Sequence, residues 1–224
     1  PVCPGNSGFD EWLSSPNFFE NDPWMSHNGR AVKTEGESSL VTVDASLKFI
    51  RSAIDNKQPF LAVVWFGSPH EPYSGLKKDL ELYNNLPKEY AKRFVRLTSN
   101  KTGKPVRRSL RDVLQERFAE ITAMDRSIGK LRRGLKDYGL RQNTLLWYCG
   151  DNGTPSSGLV ASPFRGQKGQ MYEGGIRVPG IIEWPAKITK PRVSKVNTVT
   201  SDMLPTLCAI TGQPVGNRPL DGIS

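Results

Sequence analysis

Two short apolar runs, each stopped by a glycine, set the frame of this 224-residue chain. The first is Phe60-Leu-Ala-Val-Val-Trp-Phe66, held between Pro59 and Gly67. The second is Thr144-Leu-Leu-Trp-Tyr-Cys149, ended by Gly150. Runs this short, rich in Val and aromatics, predict strands buried on both faces rather than core helices. They also fall far below the roughly 20 apolar residues that cross a bilayer, so no membrane span is expected.

The segments around these runs alternate in period. Residues 39–56 carry apolar positions 43, 47, 50 and 54, which predicts an amphipathic helix. Residues 106–137 repeat that spacing at 110, 114, 118, 121, 124, 128, 131 and 135 and predict the longest helix, with Gly139 as its stop. A third short strand is predicted over 178–184, and a short helix interrupted at Pro205 over 198–210. Residues 1–36 read as an irregular excursion pinned by Phe9, Trp12, Phe18, Phe19 and Trp24. Residues 67–105 form a long connection punctuated by Gly and Pro, and 154–175 a second loop rich in Gly and Ser. With 21 Gly and 17 Pro the chain is loop-rich. The order of elements predicts an α/β protein with a mostly parallel sheet flanked by helices.

Charge is unevenly distributed. The chain carries a net +9, and residues 92–141 alone hold 15 Lys/Arg against 5 Asp/Glu. Such a stretch is either a solvated helix face, as expected for Arg111, Arg117, Arg126, Lys130, Arg132 and Arg133, or a surface for polyanions. Aromatics are sparse there, so base stacking and nucleic-acid binding are not expected. Three cysteines, Cys3, Cys149 and Cys208, are an odd number in a chain too long to need a disulfide scaffold; Cys149 and Cys208 are expected to be buried thiols, while Cys3, before Pro4-Gly5, is left open. The first 20 residues contain no apolar leader segment.

In open α/β sheets, ligand sites lie beyond the carboxyl ends of strands. After the first run comes Gly67-Ser68-Pro69-His70-Glu71-Pro72; after the second, Gly150-Asp151-Asn152-Gly153. Downstream lies Arg165-Gly-Gln-Lys168-Gly, then Tyr172-Glu-Gly-Gly-Ile-Arg177-Val-Pro179. Asp151 and Asn152 offer hard oxygen donors suited to Ca²⁺ or Mg²⁺, although Ca²⁺ takes about 6–8. Alternatively, Asp-Asn-Gly is only a turn. A cation, Lys168 and His70 converging on one sheet end would suit a tetrahedral oxyanion such as sulfate or phosphate.

These three segments, with Gly8-Phe-Asp-Glu-Trp12 and Ser201-Asp-Met-Leu-Pro-Thr-Leu207, resemble the type I, formylglycine-dependent sulfatases of the arylsulfatase and N-acetylgalactosamine-sulfatase group. The resemblance covers nearly the whole chain. It implies an alkaline-phosphatase-like fold and hydrolysis of sulfate monoesters, on a sulfated small molecule or glycan, through a metal-assisted covalent mechanism. It further implies that Asp151 and Asn152 are two ligands of a Ca²⁺ ion (Mg²⁺ being possible). His70 and Lys168 would bind the sulfate ester, with His70 the proton donor to the departing alcohol. Arg165, Glu173 and Arg177 would brace the loop. The family suggests a secreted, periplasmic or lysosomal setting.

Three features of the family are missing: the Cys-x-Pro-x-Arg source of formylglycine, an early Asp-Asp metal pair and a Gly-Lys-x-His segment. All three normally lie upstream. Residues 1–224 are therefore expected to be the middle and C-terminal portion of a catalytic domain, without the nucleophile or the C-terminal subdomain, and inactive alone. Two other readings remain: a phosphate or phosphonate hydrolase of the same superfamily, and a non-catalytic polyanion-binding module.

Overall fold

A computed structural model describes residues 3–15, 21–99, 102–155, 162–217 and 219–224. Its centre is a pair of packed helices, α1 (Ser38–Asp55) and α3 (Leu110–Asp137). The predicted stripes form the contact: Val43 and Ile50 of α1 and Leu110, Leu114, Met124 and Leu135 of α3 are buried. Gly134 lets the helices approach closely, since a Cβ there would lie 2.4 Å from Leu47 Cδ2. A Lys130–Asp44 ion pair closes the edge of the contact. The Glu37 carboxylate caps α1 by accepting the Leu40 amide at 3.1 Å, and the Ser109 hydroxyl caps α3 by accepting that of Asp112 at 3.2 Å. Gly139, at φ +72°, follows α3 as expected.

The helix predicted to begin at 106 begins at 110. Residues 105–109 instead form β5 (Pro105–Ser109), antiparallel to β4 (Phe94–Thr98), with Arg96 opposite Arg107. The Ser109 cap sets the boundary. The long 67–105 connection thus holds a strand and α2 (Lys77–Leu80). The first 36 residues are also more regular than their composition suggests. β1 (Leu13–Ser14), β2 (Trp24–His27) and β3 (Arg30–Lys33) make a three-stranded antiparallel sheet. Trp12 is the anchor there: its ring crosses Gly5, and its amide donates to Asn28 Oδ1 at 2.8 Å. Trp24 is 63% exposed. Phe18 and Phe19 lie outside the described residues.

The two remaining strands are β6 (Leu146–Cys149) and β7 (Gly180–Glu183), paired antiparallel with Cys149 opposite Gly180. Every ladder among the described residues is therefore antiparallel, not parallel as the element order suggested. The run 60–66 joins no ladder among the described residues. It is also not buried: Leu61 and Val63 are exposed and Trp65 is 84% exposed. Apolarity marks a chain segment that can be covered, but a ladder needs a neighbour offering N–H and C=O at the right spacing. After Glu173–Ile176 (α4) and β7, α5 (Met203–Thr211) runs through Pro205 without interruption. Proline is tolerated there because the first helical turn has no intrahelical acceptor for its missing N–H. Cys3, Cys149 and Cys208 are free thiols, half-buried rather than buried, and no described helix is long and apolar enough to cross a membrane.

Candidate active site

The sequence places His70 in the turn after the first apolar run. Gly67 and Ser68 are buried while the His70 side chain reaches the surface. Its Nδ1 lies 2.5 Å from the Glu71 carbonyl oxygen. A carbonyl only accepts, so Nδ1 carries the proton and Nε2 is the nitrogen that can exchange one.

Asp151 and Asn152 sit just past the end of β6. The Asn152 amide donates to Asp151 Oδ1 at 2.9 Å, and the Asn152 side-chain amide donates to Oδ2. The next two residues tie this turn to the Lys168 loop. Gly153 N–H donates to Gly175 O at 2.8 Å, Thr154 N–H to Gly174 O at 3.2 Å, and Lys168 N–H to Thr154 O at 2.8 Å. Backbones meet backbones because Gly153, Gly174 and Gly175 carry no side chains. A Cβ at Gly153 would lie 2.0 Å from the Gly174 carbonyl oxygen. The Lys168 side chain is exposed. Arg165, Glu173 and Arg177 engage partners within the loop. Arg165 stacks on Tyr172 at 4.0 Å and donates to its hydroxyl at 2.9 Å, while Arg177 pairs with Glu173 at 3.0 Å and covers Phe164 at 4.7 Å.

Helix α3 connects these loops through polar side chains that its apolar spacing did not announce. Glu120 is buried, and its Oε1 accepts the Ser74 amide at 2.6 Å, holding the end of the His70 segment. Burial pushes its carboxyl up to about 8, against smaller opposing effects from the Ser74 amide and the Ser68 side chain. One turn earlier, Arg117 donates from Nη2 to Thr154 Oγ1 at 3.1 Å. Its burial lowers the guanidinium pKa, an effect that nearby Tyr73 and Glu120 oppose. Arg126 reaches across to the buried Asp79 of α2. Thus Arg117 is not the solvated charge that its place in a basic stretch suggested, whereas Arg126 stays exposed at the surface while it pairs with Asp79. The available signal was Glu120 itself, a carboxylate between Ala119 and Ile121 on an otherwise apolar segment.

The structure joins the Lys168 backbone to Thr154, two residues past Asn152, and α3 links Thr154 and the His70 segment through Arg117 and Glu120. For a divalent cation, the Asp151 carboxylate and the Asn152 amide oxygen fit in kind and fall short in number. Among the described residues no group of three or more His, Cys, Asp and Glu could hold a metal. Part of the basic stretch is paired with carboxylates, several of them from other segments. Arg108 pairs with Glu116 at 2.7 Å, and Arg132 and Arg141 share Glu183 at 2.7 and 2.9 Å, alongside the Arg126 and Lys130 pairs. The Arg132 hydrogen bond foremost holds the Glu183 carboxyl below its ordinary value.

Compared with known proteins, residues 1–213 match the family model described as Sulfatase. The chain belongs to the sulfatase family. It is 30% identical over 209 residues to an ulvan-active sulfatase of Formosa agariphila, covering 91% of this chain and 39% of that protein. It is 26% identical over 215 residues to an endo-4-O-sulfatase of Bacteroides thetaiotaomicron, covering 92% and 40% respectively. This sulfatase chain therefore spans about two-fifths of the length of these curated relatives. Among solved structures, Ps i-CgsB superposes with a TM-score of 0.73 at 25% identity, covering 90% of this chain and 40% of that one. The same protein in complex with k-i-k-neocarrahexaose gives a TM-score of 0.68. The fold is accordingly the alkaline-phosphatase-like sulfatase fold, of which this chain holds a part as mixed α/β elements with small sheets.

Proposed function

We propose that the chain supplies part of the active site of a sulfuric ester hydrolase acting on a sulfated glycan or small molecule. The observation that supports this most is the backbone seam from the Asp151–Asn152 turn to the Lys168 loop, closed by Lys168 N–H on Thr154 O at 2.8 Å. That seam ties the backbone of the loop carrying Lys168 to the turn carrying Asp151 and Asn152, and a carboxylate, an amide oxygen and an ammonium gathered there would suit an anion held around a cation. Lys168 neutralises sulfate oxygens, and His70, protonated at Nε2 as well as Nδ1, gives a proton to the departing alcohol oxygen. Asp151 and Asn152 would offer two oxygen ligands to a hard divalent cation, Ca²⁺ or Mg²⁺, which needs further ligands. When bound, that cation polarises the sulfate. The nucleophile, which the sulfatase resemblance gives as a formylglycine, would be supplied from outside these 224 residues, and the chain alone would not turn over. The glycan preference rests on the ulvan-active relative and on the structure holding an oligosaccharide.

The test is sulfate release from 4-nitrophenyl sulfate and from sulfated saccharides by the complete gene product and by the 224-residue polypeptide. Release by the former alone supports the reading. Phosphate-ester turnover without sulfate-ester turnover overturns it in favour of a phosphohydrolase, and robust sulfate release by the 224 residues overturns the assignment of the nucleophile.

A further inference from the structure

We infer that Arg117 and Thr154 form a positioning pair that fixes the Lys168 loop against the Asp151 turn. The inference rests on the proposed function only in what it says about turnover. Thr154 is a junction of three bonds: its amide donates to Gly174 O, its carbonyl accepts Lys168 N–H, and its hydroxyl accepts Arg117 Nη2. The first two belong to the loops themselves. The third is the tie from this junction to the rigid frame, because Arg117 sits in the second turn of the 28-residue helix α3. That helix also holds the His70 segment, through Glu120 three residues on. Residues at i and i+3 share a helix face, so both ties leave α3 on the same side. A slip of either loop would shift Lys168 relative to His70, and misplacements near 1 Å cost turnover heavily.

The cost of keeping Arg117 where it is argues against an incidental contact. Its Nε is buried without a hydrogen-bond partner. A guanidinium with an unmet donor would gain by swinging to water, since buried polar groups are normally paired. Arg117 touches no reacting atom in this account; it acts through Thr154.

The experiment uses the complete gene product carrying Thr154→Val, Thr154→Ser, Arg117→Met, or Arg117→Met with Thr154→Val. Amide hydrogen exchange over residues 165–175 is read beside kcat and KM for 4-nitrophenyl sulfate. Thr154→Val should speed exchange at the Lys168 amide about 10-fold. It should lower kcat about 10- to 100-fold, with the global melt changed little. Thr154→Ser should restore both, and the double variant should be no worse than the worse single one. Unchanged exchange in a folded Thr154→Val protein overturns the pair, as does failure of Thr154→Ser to rescue. If Arg117→Met does not fold, Thr154→Val, which exchanges a hydroxyl for a methyl, decides alone. Faster exchange in an enzyme that releases no sulfate leaves the pair standing and sinks the proposed function; sulfate release with exchange unaltered does the reverse.

Discussion

Glu120 accepts the amide of Ser74 at 2.6 Å, joining the buried face of α3 to a segment 46 residues earlier in the chain. The bond is bought with a carboxyl held away from water, so its protonation is linked to folding. Burial raises the folded-state pKa from 4.5 to about 8. The folded chain therefore holds this proton more tightly than the unfolded chain does. That contribution is complete below about pH 4.5 and is lost as pH rises toward 8, amounting to on the order of 4 kcal/mol by then. Glu37 and Glu116 face the same carboxyl and raise its pKa further, while Arg117 stands beside it. Glu120→Gln should flatten the fall in urea midpoint between pH 5 and pH 8. Equal slopes in the wild type and the variant would show that Glu120 is not the group responsible.

His70 and Lys168 should separate kinetically in the complete gene product. If Lys168 meets the bound anion as proposed, Lys168→Ala should lower both substrate affinity and turnover. If His70 is the proposed proton donor, His70→Ala should cost about 100- to 10,000-fold, by an amount that depends on the alcohol. Esters of good leaving groups such as 4-nitrophenol should suffer least, and esters of sugar hydroxyls most. Equal losses on both kinds of ester would rule out proton donation by His70.

Gly153→Ala should damage the site from its backbone. The added methyl would lie 2.0 Å from the Gly174 carbonyl oxygen, and neither strand of this seam can move without the other. A destabilisation of about 1–3 kcal/mol is expected, with loss of sulfate release. By contrast Gly180→Ala, where a Cβ meets nothing within 4 Å, should be mild. Comparable melting temperatures for the two variants would refute the packing argument.

The 224-residue polypeptide by itself should bind a hydrophobic dye. Leu61, Val63 and Trp65 on the first apolar run, with Ile181 and Ile182 on β7, leave apolar side chains facing solvent. Trp65→Lys should reduce both dye fluorescence and aggregation. A dye-silent monomer with a sharp cooperative melt would contradict this.

Periodicity carried the helices. Val43, Ile50, Leu114 and Leu135 are buried where their spacing put them, because a 3.6-residue period on an amphipathic segment admits few other outcomes. Local chemistry carried the termini too: Ser109 caps α3 and Gly139 follows it. The order of motifs likewise identified the family. What the sequence could not decide was pairing. A run such as Phe60–Phe66 says that it can be covered, and nothing in its residues says by what. Hydrogen-bonded ladders and the seam between the Asp151 turn and the Lys168 loop join segments far apart in the chain, so they are properties of the packed structure. The same holds for Arg117 and Glu120. In sequence they are two charges in a basic stretch, and only the packing of α3 against both loops turns them inward.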